Sequence, residues 1–459
     1  MQSKNYSSEG SITKAYHYGG TAFFLGICMS NCVNLLKTFV FLADSLYLCA
    51  CMRVLIVNTS ERTGGAAVAS NRLMEALINN GVKAKMLVRD KETGNICVVR
   101  HPKQRQLRWA FLWERLVIWP FLGFRRRRLF EVDIANCGAD ITSLPEFQEA
   151  DVIHLHWVNQ GMLSLKQLRK ILDSGKRVVW TMHDIWPATS ICHLTLDCRQ
   201  FESGCGRQDS TICPSASLAK RVWRKKQTML EGRHVTFVAC SEWLAGEARK
   251  SALLKSQTVV SIPNPINIGV YKPGSQQAAR KALGLPLDRK LILFASQRVT
   301  NEYKGMHYLI EACRQLTGMS GVGVMILGGH AEEVVEQLPF DAFPLGYVND
   351  EQRIVQVYQA ADVFVLPSLS ENLPNTIMEA MACGVPCVGF NVGGIPEEID
   401  NRKTGYVANY KDADDLARGL QWVLCEADHD ALSKACVRKV AECYSQQNVA
   451  KRYISIYED

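Results

Sequence analysis

Two glutamates, Glu371 and Glu379, stand eight residues apart within the stretch Pro367 to Gly394, PSLSENLPNTIMEAMACGVPCVGFNVGG. A wholly helical spacer would set them at most roughly 12 Å apart at 1.5 Å rise per residue. That is too far for a general acid and base acting on one bond. It suits the two ends of an extended polar ligand, such as a sugar at one end and a ribose diol at the other. Backbone N–H groups near Leu373, Asn375 and Thr376, where a helix would begin, point at an anion between them. Taken alone, a glutamate pair at this spacing is a solvated helix face. Arg298 and Lys304, in the loop SQRVTNEYKG, suit a diphosphate, because a guanidinium can hold two oxygens and an ammonium adds a point charge. Taken alone, they too are surface charge. His183 follows the apolar run Arg177–Met182, at the edge where parallel sheets bind ligands; a packed core histidine is the alternative.

These residues need a scaffold of strands and helices. Ala361–Leu366 reads as a buried parallel strand. After it come a loop through Ser368 and Asn372, Pro374 at a first helical turn, and apolar residues Ile377, Met378, Met381 and Ala382 at helical spacing. Gly384-Val-Pro386 stops that helix, Cys387–Phe390 is a second strand, and Gly393-Gly394 opens a turn. The chain restarts a similar pattern earlier. Arg53–Asn58 is a strand, Gly64-Gly65 a turn, and Ala67–Asn79 a helix, together an anion cradle by geometry but not a GxGxxG pattern. Asp151–Trp157 is a strand with His154 and His156 on one face; two like-facing histidines could ligate a metal, but no carboxylate partner is placed nearby. Ser241 reads as the cap of a helix after the strand Val235–Cys240, and Pro263-Asn-Pro265 as a crossing between domains. Strands alternating with helices in two blocks predict an α/β chain: residues 52–265, then 266–440, then a terminal helix in 441–459.

The 459 residues exceed one ordinary core, and 47% hydrophobic with 21% charged residues describes a globular enzyme. The formal charge of +8 gathers at Arg125–Arg128 and Arg221–Lys226, which argues for one basic face and against a nucleic-acid partner. Seventeen scattered cysteines fit a reducing, cytoplasmic compartment. Residues 1–51 are apolar only in broken runs, too short to span a bilayer, and Met52 looks like a protein start; they are expected to be an extension outside the fold, with a membrane anchor as the alternative. In residues 104–130, tryptophans 109, 113 and 119 alternate with arginines. The functional expectation is peripheral contact with the inner face of a membrane or with a lipid-linked acceptor. The plainer one is a helix packed on its own domain, broken at Pro120. Cys192, Cys198, Cys205 and Cys213 fall within 22 residues and suit a tetrahedral thiolate zinc site or a disulfide-like staple. Either would be structural, since four thiolates leave no open position.

The ordered match of a small polar residue, E-x7-E, EAMACGxPxV and a glycine turn closely resembles the donor-site signature of retaining glycosyltransferase family four. The resemblance covers roughly Met52 to Tyr457. It implies the GT-B fold, two Rossmann-like domains facing across a cleft, with the last helix returning to the first domain. It also implies residue roles. Glu379 would hold ribose hydroxyls, Glu371 the transferred sugar or the neighbouring phosphate, and Arg298 and Lys304 the diphosphate. Gly64 and Gly65 would face donor phosphates and acceptor, and His183 would sit by the transferred sugar. His156, Trp157 and Asn159 would line the acceptor side, and the base would lie near Gly346, Tyr347 and Val348. Asn372-Leu373 stands where many relatives carry Gly-Phe. The cysteine insert after the HDxWP segment resembles a bacterial subgroup from polysaccharide gene clusters. No cofactor is needed for catalysis, because no DxD-type pair is placed for a metal–diphosphate bridge. The partners are then a nucleoside diphosphate sugar and a glycan or lipid-linked acceptor. An epimerase on the same fold and a silent nucleotide-sugar-binding partner are the rivals; the Trp/Arg segment and cysteine insert argue against the first, the intact Arg298, Lys304, Glu371 and Glu379 against the second.

Overall fold

Near-continuous apolar runs such as Val54–Val57 and Leu291–Phe294 become the middle of parallel sheets covered on both faces. The computed structural model describes residues 52–125, 129–206 and 215–459. The expected extension 1–51, Arg126–Arg128 and Cys213 lie outside the described residues. Arg53–Asp459 forms one compact unit with two sheets.

The first sheet comprises β1 Arg53–Ser60, β2 Lys83–Asp90, β3 Val98–Arg100, β4 Val152–Leu155, β5 Arg177–Met182, β6 Thr236–Ala239 and β7 Thr258–Ser261. Its order is β3-β2-β1-β4-β5-β6-β7, parallel throughout. The second comprises β8 Lys290–Arg298, β9 Val322–Gly329, β10 Asp341–Gly346, β11 Val363–Leu366, β12 Cys387–Phe390 and β13 Gly405–Ala408. Its order is β10-β9-β8-β11-β12-β13, again parallel. In each sheet the strand order reverses once, between β1 and β4 and between β8 and β11. Crevices at such reversals, outside the carboxyl ends of the strands, are where open α/β sheets take ligands.

The final helix, Gln446–Glu458, leaves the second sheet and packs on the first, as the resemblance implies. Tyr457 Oη lies 2.7 Å from His154 Nδ1, Tyr453 Oη lies 2.9 Å from Thr181 Oγ1, and Arg177 donates to the Ile456 carbonyl at 2.6 Å. His154 Nε2 meets Thr181 Oγ1 at 2.8 Å, so both ring nitrogens are engaged and this histidine is a packing residue. The helix Gln104–Phe121 stops one residue after Pro120, where the sequence expects the break: the ring removes an N–H donor and crowds the carbonyl four residues back. Pro374 sits one residue outside the helix Asn375–Ala382, as its cap, rather than in its first turn.

Candidate active site

The site residues come from the turns that leave five strand ends. After β1, Gly64 takes φ +95° and starts the helix Gly65–Asn79. After β4 come His156, Trp157 and Asn159, and after β5 His183 and Asp184. Arg298 ends β8, and Lys304 follows in a single 3₁₀ turn. After β11 comes the loop that carries Glu371, ending at the helix Asn375–Ala382.

Close backbone contacts pin that loop. A side chain at Gly305 would place Cβ 1.8 Å from the Pro367 carbonyl, and at Gly393 1.7 Å from the Glu371 carbonyl. Gly305 thereby brings Lys304 against the loop, and Lys304 Nζ pairs with Glu371 Oε1. A 300 Å³ cavity opens beside this pair, bounded by Gly65, His183, Asn264, Ser296, Lys304 and the segment Glu371–Thr376. Asn375 bridges the domains there, accepting from Asn264 Nδ2 at 3.0 Å and donating to the Gly65 carbonyl at 3.2 Å. Asn372 does the same, accepting from Ser241 Oγ at 2.6 Å and donating to the His183 carbonyl at 3.2 Å. Leu373 is buried under the loop, and Ser241 caps its own helix through the Leu244 N–H, as its sequence position predicts.

A second cavity, of 560 Å³, lies on the other side of His183, Glu371 and Asn372. Its walls are Asp184, His193 and Leu194–Asp197 from the first domain, and Tyr303, Leu369 and Tyr410 from the second. His183 and Glu371 therefore stand where the two cavities meet.

Three expected donor residues do not line the smaller cavity: Gly64, which stands just before it in the turn, Arg298 and Glu379. Arg298 is exposed and its Nε donates to Thr300 Oγ1 at 3.1 Å. Glu379 is buried with both oxygens taken, by Arg72 Nη2 at 2.6 Å and by Tyr358 Oη at 2.7 Å. Arg72 belongs to the first domain, so Glu379 here is half of a latch between domains. Against the burial that opposes it, the Glu379 charge raises the Arg72 pKa. Burial, then Glu379, pushes Tyr358 well above the usual phenol range.

The residues expected on the acceptor side, His156, Trp157 and Asn159, line neither cavity and stand behind His183. His156 Nδ1 and His183 Nε2 are 2.8 Å apart, and the rings stack with centroids 5.1 Å apart. Burial holds His183 down to about 4 against the pull of Asp184, and takes His156 well below the ordinary range. Both are neutral at physiological pH. Asn159 lies buried at the same edge, its carbonyl accepting from Thr59 Oγ1.

Sequence reasoning missed the network behind them. His193, in the cysteine insert, meets Asp184 Oδ2 at 2.7 Å through Nδ1 and Asp133 Oδ2 at 2.8 Å through Nε2. Asp133 also pairs with Arg115. Asp184 receives Trp157 Nε1 at 3.0 Å and the Trp186 N–H at 2.9 Å. Burial disfavours a charged His193, but Asp184 and Asp133 overcome it and raise the group to about 10. A fixed imidazolium between two carboxylates thus orients Trp157 and the turn that carries His183. The signal available in sequence was the acid of His183-Asp184 and the histidine beside Cys192; nothing local pairs them. Cys192, Cys198 and Cys205 line a 420 Å³ cavity next to this network. Among the described residues no three His, Cys, Asp or Glu side chains group to hold a metal, and the described thiols alone do not assemble the expected zinc set.

Two parallel-sheet domains meeting across a cleft, with a junction of cavities at their carboxyl edges, define the GT-B class. Family models agree: residues 63–270 match Glycosyltransferase Family 4 and residues 289–426 match Glycosyl transferases group 1. The two matches together mark the chain as a glycosyltransferase of the family-four type. It is 29% identical over 220 residues to the D-inositol 3-phosphate glycosyltransferase of Corynebacterium urealyticum, covering 44% of this chain and 51% of that one. It is 33% identical over 195 residues to a putative colanic acid biosynthesis glycosyltransferase, WcaL, of Salmonella typhimurium, covering 39% and 46%. The matches thus span about half the length of such relatives. Among solved structures, the sucrose-phosphate synthase of Thermosynechococcus elongatus superposes with TM-score 0.63 at 18% identity, over 89% of this chain and 98% of that one. Anabaena Alr3699/HepE in complex with UDP-glucose gives 0.59 at 15%, over 89% and 99%. At these identities the likeness is one of fold.

Proposed function

We propose that the protein is a retaining hexosyltransferase. It moves a sugar from a nucleoside diphosphate donor to a glycan or lipid-linked acceptor in cell-surface polysaccharide assembly (capsule, exopolysaccharide or lipopolysaccharide), at the cytoplasmic side of the membrane. The observation that carries this reading is the meeting of two cavities at His183 and Glu371. The smaller one, with Lys304 and the start of the helix Asn375–Ala382, offers an ammonium and backbone N–H groups to a diphosphate leaving group. The larger one has room for an acceptor sugar.

In this reading Lys304 shifts from Glu371 to the phosphates, and Glu371 turns to hydroxyls of the transferred sugar. Neutral His183 hydrogen-bonds that sugar without adding charge to the anomeric centre. Asp184, in the wall of the larger cavity, is tied to His193, Trp157 and Trp186 and so does not serve as a nucleophile. The acceptor hydroxyl then attacks from the face the leaving group vacates, with the departing phosphate taking its proton, which retains configuration. Glu379 meets the ribose hydroxyls only after the Arg72 latch opens, which couples donor uptake to domain opening, and Arg298 turns from Thr300 to the diphosphate. The cysteine insert has a structural role in holding His193, with zinc as the proposed staple.

Turnover of a panel of nucleoside diphosphate sugars by the full chain, with and without Glu371→Gln, tests the proposal. One donor should be hydrolysed slowly and transferred to a glycan acceptor, and the variant should lose both by at least about a hundredfold. A product that is the donor's own epimer, or binding with no turnover on any acceptor, would contradict it.

A further inference from the structure

The helix Gln104–Phe121 carries two apolar faces. Leu107, Ala110, Ile118 and, just beyond it, Leu122 are buried in the core of the first domain. The opposite face exposes Trp109 (72% exposed), Leu112, Trp113 and Leu116. At about 100° per residue these positions fall in one stripe together with Arg105 and Arg108. Among the described residues, seven of the seventeen exposed large apolar side chains lie between Trp109 and Phe130. Such a concentration is unlike the scattered apolar exposure of a free surface.

The charges on the same segment are one-sided. Glu114 is the single acid between residues 101 and 130, and it is buried, its carboxylate accepting the N–H groups of Ile134 and Ala135 at 3.0 and 2.7 Å. Arg115 turns inward too, to Asp133 and the Val132 carbonyl. What faces solvent beside the tryptophans is Lys103, Arg105, Arg108 and Arg125, and the sequence continues with three further arginines. An apolar stripe whose own helix exposes cations and no acid complements an apolar phase beneath anionic headgroups. A second copy of this chain would set cations against cations.

We propose that this face docks the protein on an anionic phospholipid bilayer, with Trp109, Leu112, Trp113 and Leu116 in the headgroup–acyl boundary and the arginines on the phosphates. No described helix is long and apolar enough to cross a membrane, so the contact is peripheral. Phe130, at the end of the exposed face, also lines the 420 Å³ cavity walled by Leu194 and Leu196, the loop that bounds the acceptor cavity as well. Docking therefore brings the acceptor side of the cleft near the bilayer. That last step rests on the transferase reading above; the docking itself does not.

The test is flotation of the full chain with phosphatidylcholine vesicles, with and without phosphatidylglycerol, and brominated phosphatidylglycerol as a quencher of tryptophan emission. The wild type should float with anionic vesicles only, less so at high salt. Trp109→Ser with Trp113→Ser should lower partitioning at least about tenfold, since each indole withdraws on the order of 150–250 Å² of apolar surface. Trp109→Phe with Trp113→Phe should still bind but lose the quenched emission, which separates this face from any contact made by residues 1–51. Donor turnover with a soluble acceptor should be unchanged in both. Unquenched tryptophans in bound wild type, quenching that survives in the Phe pair, or a dimer that dissolves on Trp109→Ser would overturn the proposal. Vesicle binding without any donor turnover would leave docking standing and remove the transferase reading.

Discussion

His193→Gln is the substitution that most sharply probes the carboxylate–imidazolium–carboxylate bridge. The folded protein holds the His193 proton to about pH 10, against 6.5 for an ordinary histidine. A group raised in the folded state stabilises fully below the unfolded value, and that contribution is lost as pH climbs through the folded one. At pH 7 roughly three pH units of the window are in force, at most about 4 kcal/mol at 1.36 kcal/mol per unit. Relaxation around the shorter amide leaves an expected loss of roughly 2–4 kcal/mol, or about 5–15 °C in Tm for a domain of this size. The gap between wild type and variant should narrow steadily from pH 7 and close near pH 10. Thermal melts across that range, followed by tryptophan fluorescence, measure it. The variant should also raise the acceptor KM more than it lowers kcat, because Trp157 loses its anchor through Asp184. Parallel wild-type and variant curves between pH 7 and 10 would refute the reasoning: the imidazole would then be a neutral spacer.

Three further outcomes follow from the geometry. Arg72→Met leaves the buried Glu379 carboxylate with Tyr358 alone and should cost about 3–5 kcal/mol, with faster proteolysis between the domains; Arg72→Met with Glu379→Gln should recover much of the loss. Gly305→Ala would force Cβ to 1.8 Å from the Pro367 carbonyl, so the loop must shift and donor affinity should fall at least about tenfold with little change in far-UV circular dichroism. On acidification, burial holds His154 to about 3 and His183 to about 4. Depressed groups take up protons first in the unfolded chain, so stability should decline as pH falls from 6.5 towards 4, and His154→Gln should flatten that decline in urea titrations.

The fold was legible wherever a local pattern carried it. Apolar runs such as Leu291–Phe294 mark covered parallel strands, and the glycine pair Gly393-Gly394 follows from carbonyls too close for any Cβ. The loop carrying Glu371 could be placed because strand, loop and helix are contiguous. What stayed hidden was long-range pairing. Arg72 and Glu379 are 307 residues apart, His193 and Asp133 60 apart, and no spacing rule joins such partners. Glu379 reads as a ligand residue from its motif, whereas burial beside Tyr358 and an arginine from the other domain ties it up.

Calorimetric titration of a free nucleoside diphosphate into the full chain, wild type and Lys304→Met, tests the central claim most directly. The account predicts one site in the wild type and binding weakened roughly 10–100-fold in the variant, the scale of a lost charge-assisted contact to phosphate. Equal affinity in both proteins, or no binding by the wild type of uridine, guanosine or adenosine diphosphate, would contradict it.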